Sequence, residues 1–276
     1  MVLPVLALYQ GDYADATPFL LGLTLGIYGL TQAILQIPLG LLSDRIGRAP
    51  VIIGGLIMFV VGSVVAAMAD SMQGLILGRA LQGMGAIAST LMAMVTDLTS
   101  EENRTKAMAS IGASIGLSFM LAMIAGPLIA SAMGLSGVFW VTALLGCIGI
   151  LVFIVLVPRV VQVQRNRETL ADLNQIGLML KQPTLLRLNL GIFALHLALM
   201  AAFVVIPTLL SDQLGISGDN LWWVYLALLG GGFVAMLPVM ILGEKYQKQK
   251  LAFVAAVGCM TVAMFVLSSQ QGATLT

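Results

Sequence analysis

Long apolar runs alternate with short polar breaks along this chain, and the runs are too long for the helices of a soluble core. A stretch of about 18 to 25 apolar residues is the length of a helix that crosses a hydrocarbon layer. Such runs predict helices over 18–42, 51–69, 72–96, 107–132, 137–157, 186–210, 222–242 and 251–268, preceded by an apolar stub from Met1 to Gln10. The stub has no basic leader and no small-residue cleavage site, so it reads as the second half of a membrane helix rather than a signal peptide. The front of that helix is expected to lie before Met1. With 59% apolar and 9% charged residues, the chain is an all-α integral membrane protein on this reading.

The sparse charges orient the spans. Every lysine and arginine except Arg79 falls in or beside alternate connections: Arg45 and Arg48, then Arg104 and Lys106, then Arg159 through Arg187, then Lys245 through Lys250. Those connections are cytoplasmic by the positive-inside rule. The intervening ones carry Asp12, Asp15, Asp70, Asp212 and Asp219 and no basic residue. Trp222 and Trp223 open a span at the outer interface, as an aromatic anchor would. The longest polar break, Pro158 to Leu185, predicts a cytoplasmic linker between membrane regions 1–157 and 186–276. A net charge of +1, sorted by membrane face, gives no basic patch for nucleic acid. Cys147 and Cys259 lie in apolar runs and there is one histidine, so neither a disulfide framework nor a metal site is expected. No nucleophile-base pair or nucleotide loop is present, which argues against an enzyme and against a cofactor.

One break is more specific than the rest. In GLLSDRIGRAPV, Gly40 to Val51, two arginines, an aspartate and two glycines crowd a short hairpin between two spans. The pattern formed by Gly40, Asp44, Arg45, Gly47 and Arg48 resembles the loop between helices 2 and 3 of the major facilitator superfamily. Further on, LILGRALQGMGA, Leu75 to Ala86, is similar to the fourth-helix motif of that family. Ala125-Gly126-Pro127 resembles the core of the fifth-helix motif of its drug/proton antiporters, although Ala122, Ala130 and Ser131 stand where glycines are usual.

The resemblance implies two six-helix halves joined by a cytoplasmic loop. On that template the chain holds a nearly complete N-terminal half, with helix 1 partial, and helices 7 to 9 of the C-terminal half. It implies a proton-coupled transporter of the bacterial inner membrane, monomeric when full length, that exports hydrophobic or amphipathic small molecules by alternating access. Proton-coupled import of a small polar metabolite, or a truncated fragment without transport activity, are the alternatives. The partners implied are a small-molecule substrate, protons and the lipid bilayer.

The same resemblance assigns Gly40, Asp44, Arg45, Gly47, Arg48 and Asp97 to a conformational switch, with Arg48 paired to Asp97. Asp44 would face a helix of the other half, beyond residue 276. By its own helix alone Asp44 is badly placed, since a helix C-terminus carries partial negative charge.

Arg79 is the basic residue well inside a span, where a charge costs at least about 2.5–3.5 kcal/mol unless it faces protein or water. It must face inward. Either it couples protons to substrate, as the matching family arginine is thought to do, or it ties helices together through carbonyls and amides such as Gln32 or Gln36. Arginine does not release its proton. His196 is the titratable candidate near neutral pH, as a proton acceptor or as a cross-helix hydrogen-bonding group. Tyr28, Gln32 and Gln36 share one helix face and line a cavity or bond between helices. Gly126-Pro127 either shapes the substrate path or packs against a neighbour. Gly22, Gly26 and Gly29, and Gly112 and Gly116, are spaced for close helix approach.

Overall fold

The computed structural model describes residues 2–6, 9, 13–85, 87–157, 182–215, 221–246 and 249–273, so most of the expected linker, 158–181, lies outside the described residues. Among the described residues the regular structure is helical: α1 (Leu3–Leu6), α2 (Pro18–Ile46), α3 (Arg48–Ala67), α4 (Met72–Met84), α5 (Ala88–Leu98), α6 (Glu101–Leu156), α7 (Pro183–Leu214), α8 (Leu221–Lys245) and α9 (Gln249–Ala273). They form two packing units, Met1–Trp222 and Trp223–Thr276, the second made of most of α8 with α9. Five stretches are long and apolar enough to cross a membrane: α2, α3, the run from Met72 to Leu98, α6, and Pro183–Ala202 of α7.

The helices overrun the apolar runs at their ends, because polar residues continue the backbone ladder into the interface. The clearest case is the hairpin between α2 and α3. An eight-residue polar break is expected there, yet both helices run up to Gly47, whose φ of 101° and ψ of 158° no other residue adopts easily. Its N–H returns to the carbonyl of Ser43 at 3.1 Å, and α3 starts at the next residue. Thus the signature arginines and aspartate are helical residues on either side of a one-residue turn.

At 56 residues α6 would be about 84 Å long, far beyond one bilayer, and it holds both the 107–132 and 137–157 spans. The join is Gly134, with φ 69° and ψ −175°, which breaks the helical path. The fourth span is also in two pieces, α4 capped by Gly85 and α5 starting after Ile87.

In the first unit the outer helix ends share an apolar core of Val5, Leu6, Leu21, Ala66, Leu75 and Phe139. Both carboxylate oxygens of Asp15 accept from the Met72 N–H, at 3.0 and 3.1 Å, and Ser71 caps Gly74. The start of α4 is therefore held by two acceptors that favour a helix N-terminus. By contrast Leu144, Leu145, Ile148, Leu151 and Val155 of α6 are exposed, as a lipid-facing surface requires.

Candidate functional site

The glycines that bring helices together are not the ones their spacing suggests. A methyl on Gly22, Gly26, Gly29, Gly112 or Gly116 would meet nothing within 4 Å among the described residues. Close approach occurs instead at α4. A Cβ on Gly62 of α3 would lie 2.4 Å from Gln82 N and 2.7 Å from Gly78 O, and one on Gly83 would lie 2.3 Å from Tyr28 O of α2. Spacing shows that a helix can approach a neighbour; it does not name the neighbour.

This clamping buries Arg79, 7% exposed, between α2, α3 and α4. Its Nη1 donates to Gln82 Oε1 at 2.8 Å and its Nε to the Thr24 carbonyl at 3.4 Å. Gln82 Nε2 donates in turn to Ser63 Oγ at 2.7 Å, and Ser63 to the Phe59 carbonyl at 2.7 Å. The guanidinium carbon sits 4.5 Å from the centroid of the Tyr28 ring, a cation–π distance. Gln32 and Gln36, considered above as amide partners, do not fill that role; Gln82, one helical turn on, does. No carboxylate pairs with Arg79 among the described residues. Among the described residues its charge is met by neutral dipoles and a π face.

Tyr28 and Gln32 also line a cavity of about 390 Å³ with Leu56, Phe59, Leu91 and Ile115, between α2, α3, α5 and the first part of α6. The interruption of the fourth span opens onto it, since Gly85, Ile87 and Ala88 are in its wall. Non-helical backbone at membrane depth is tolerated where it is buried or lines such a space. Gln36 is outside the cavity; its carbonyl accepts from Ser89 Oγ at 3.1 Å, tying α2 to α5. Gly126 and Pro127 are buried in α6, whose backbone stays helical through them.

At the cytoplasmic end, Arg48 gathers the signature residues. Its Nη1 lies 2.5 Å from Asp44 Oδ1 and 2.7 Å from Ser43 Oγ, and its Nε 3.1 Å from Asp97 Oδ2 at the end of α5. Asp44, which its own helix end disfavours, finds its cation four residues along the chain. Gly40 faces Ser89 of α5 at an ordinary contact distance, and Arg45 is exposed. His196 on α7 is exposed, with Nδ1 2.9 Å from the Ile192 carbonyl. A carbonyl only accepts, so Nδ1 is the donor in this contact. No hydrogen bond or ion pair joins His196 to Arg79 among the described residues. They also contain no cluster of three metal-ligating side chains.

Comparison with known proteins supplies the family. The profile described as Major Facilitator Superfamily matches residues 1–275. The chain is 48% identical over 271 residues to the inner membrane transport protein YajR of Escherichia coli K12, covering 98% of this chain and 60% of that relative. It is 36% identical over 276 residues to an uncharacterized transporter of Buchnera aphidicola from Acyrthosiphon pisum, covering 98% of this chain and 70% of the relative. A shorter likeness, 36% over 135 residues, covers 48% of this chain and 33% of the class B tetracycline resistance protein of Escherichia coli. The chain thus spans about 60% of the length of YajR. The first two are named as transporters rather than enzymes, and their likeness covers 98% of this chain. With its one-residue turn at Gly47, its buried Arg79 and a family match from end to end, this multi-pass inner-membrane chain belongs to the major facilitator superfamily.

Proposed function

We propose that the chain serves proton-coupled export of hydrophobic or amphipathic small molecules by alternating access, with regions 1–157 and 186–276 belonging to two halves that rock about a midplane site. The observation that carries this reading is the placement of Arg79: a buried charge without a carboxylate, stacked on a ring that forms the wall of a mainly apolar cavity. Charged groups at membrane depth are rare and mark functional positions by default. In the cavity an apolar substrate displaces water at little cost, whereas a polar metabolite would leave its groups unpaired against Leu56, Phe59 and Ile115. The short likeness to a tetracycline resistance protein agrees with export.

Arg79 holds its proton and acts by its field. Proton uptake falls to another group, for which His196 Nε2 is available in this chain. The Arg48–Asp44–Asp97 cluster ties the α2–α3 turn to the end of α5 and serves as the lock that opens and closes with the cycle.

The test is dye efflux from proteoliposomes under an imposed proton gradient, with wild type and Arg79→Ala compared at equal insertion. Gradient-dependent efflux that is lost in Arg79→Ala supports the reading. Efflux that persists in that variant refutes the coupling role.

A further inference from the structure

We infer that the cavity beside Tyr28 selects amphipathic molecules with an anionic head and discriminates against lipophilic cations. The inference deepens the transport reading above and rests on it for its biological meaning. Its volume, about 390 Å³, is that of a small-ligand pocket, and Leu56, Phe59, Leu91 and Ile115 supply a surface for an apolar body. The selectivity comes from the sign of what surrounds it.

Three features give that sign. Arg79 stands behind Tyr28, its guanidinium 4.5 Å from the ring, and its hydrogen-bond acceptors, Thr24 O and Gln82 Oε1, are both neutral. The start of α5 reaches the cavity at Ile87 and Ala88, and no side chain caps it, so its first amides adjoin the space as donors, while the dipole of α5 is opposed by the C-terminal end of α4 at Gly85 in the same wall. Third, no aspartate or glutamate lines the cavity, while Gln32 presents a carboxamide there that is unbonded within the described chain. An anion meets donors and a positive field. A cation meets the same field with nothing to neutralise it, in surroundings of low dielectric where the penalty is large.

The experiment measures binding of three fluorescent probes with a shared naphthalene body to the chain in nanodiscs of zwitterionic lipid, empty discs giving the background. The probes are anilinonaphthalene sulfonate (anion), phenylnaphthylamine (neutral) and naphthylmethyl trimethylammonium (cation). Roughly tenfold or tighter binding of the anion over the cation is expected. Gln32→Glu, which places a negative charge in the wall without disturbing Arg79, should reverse that order, and Ile115→Trp, which fills the space, should weaken all three probes. Equal or tighter binding of the cation to the wild-type chain, or binding unaffected by Ile115→Trp, overturns the inference. If the anion preference holds but no proton gradient drives efflux, the transport reading fails and the binding inference stands. If a gradient drives export of lipophilic cations that bind this cavity as tightly as anions, the reverse is true.

Discussion

Substituting Gly62 by alanine tests whether the packing of α4 holds Arg79 in place. The added methyl would lie 2.4 Å from Gln82 N, 2.7 Å from Gly78 O and 2.8 Å from Leu81 C, all backbone atoms that no rotamer change can move. Ordinary contact needs roughly 1 Å more, so α3 and α4 must part by about that amount. Overpacking of this kind costs about 1–3 kcal/mol. Parting the helices also stretches the Gln82–Ser63 bond from 2.7 Å to beyond hydrogen-bonding range, and an unpaired buried amide adds about 1–3 kcal/mol. A loss of about 2–6 kcal/mol follows. Gly26→Ala is the matched control: its methyl meets nothing within 4 Å, and alanine in a helix is favoured over glycine by about 0.5–1 kcal/mol. The assay is unfolding of the purified proteins in mixed detergent with rising dodecyl sulfate, followed by helical circular dichroism. A midpoint for Gly62→Ala no lower than that of Gly26→Ala would refute the packing argument.

Other perturbations follow from single contacts. Gly47→Ala forces a side chain onto a φ of 101° and should destabilise by about 1–3 kcal/mol in the same assay, with the α2–α3 turn the first segment to gain hydrogen exchange. Asp15→Ala removes both acceptors on the Met72 N–H and should cost about 0.5–2 kcal/mol, while Asp15→Asn, which keeps one acceptor, recovers part of it. Asp97→Ala should lower stability by under about 1 kcal/mol, because the partly exposed Arg48 keeps Asp44 and Ser43; a larger drop in midpoint would show that more than an ion pair is lost.

How much of this was readable beforehand depends on the range of the interaction. Helix positions came through because hydropathy over a bilayer's thickness is a local property, although five stretches among the described residues are long and apolar enough to cross a membrane, and the inward facing of Arg79 came through because a lone charge in lipid has no other refuge. The one-residue turn was half legible: the glycine was visible, but a polar stretch looks the same whether it is loop or helix end. Gln82 as partner of Arg79 was within reach, since three residues in a helix put them on one face. The clamping by Gly62, Gly78 and Gly83 was not, because it depends on which helix lies opposite. Asp15 was counted only as an outer-face charge, since its bond to Met72 joins residues 57 apart in sequence. For the same reason the cavity is legible only on its α2 side: Tyr28 and Gln32 line it, as their shared helix face allows, but the rest of the wall draws on three other helices.

The division of the fourth span into α4 and α5 has a mechanical meaning. An unbroken helix from Met72 to Leu98 would be a stiff rod, and whatever tilted Arg79 would tilt Asp97 by the same angle. As two helices, the piece carrying Arg79 is clamped by glycines to α2 and α3, while the piece carrying Asp97 is fastened by side chains, through Ser89 to α2 and through Arg48 to α3. The first attachment rests on backbone packing that leaves no room for a side chain; the second rests on hydrogen bonds and an ion pair. The two pieces of the fourth span are therefore held by different kinds of contact, close backbone packing in the first and side-chain bonds in the second, and the cavity lies where they meet. A molecule lodged there would touch the end of one piece and the start of the other.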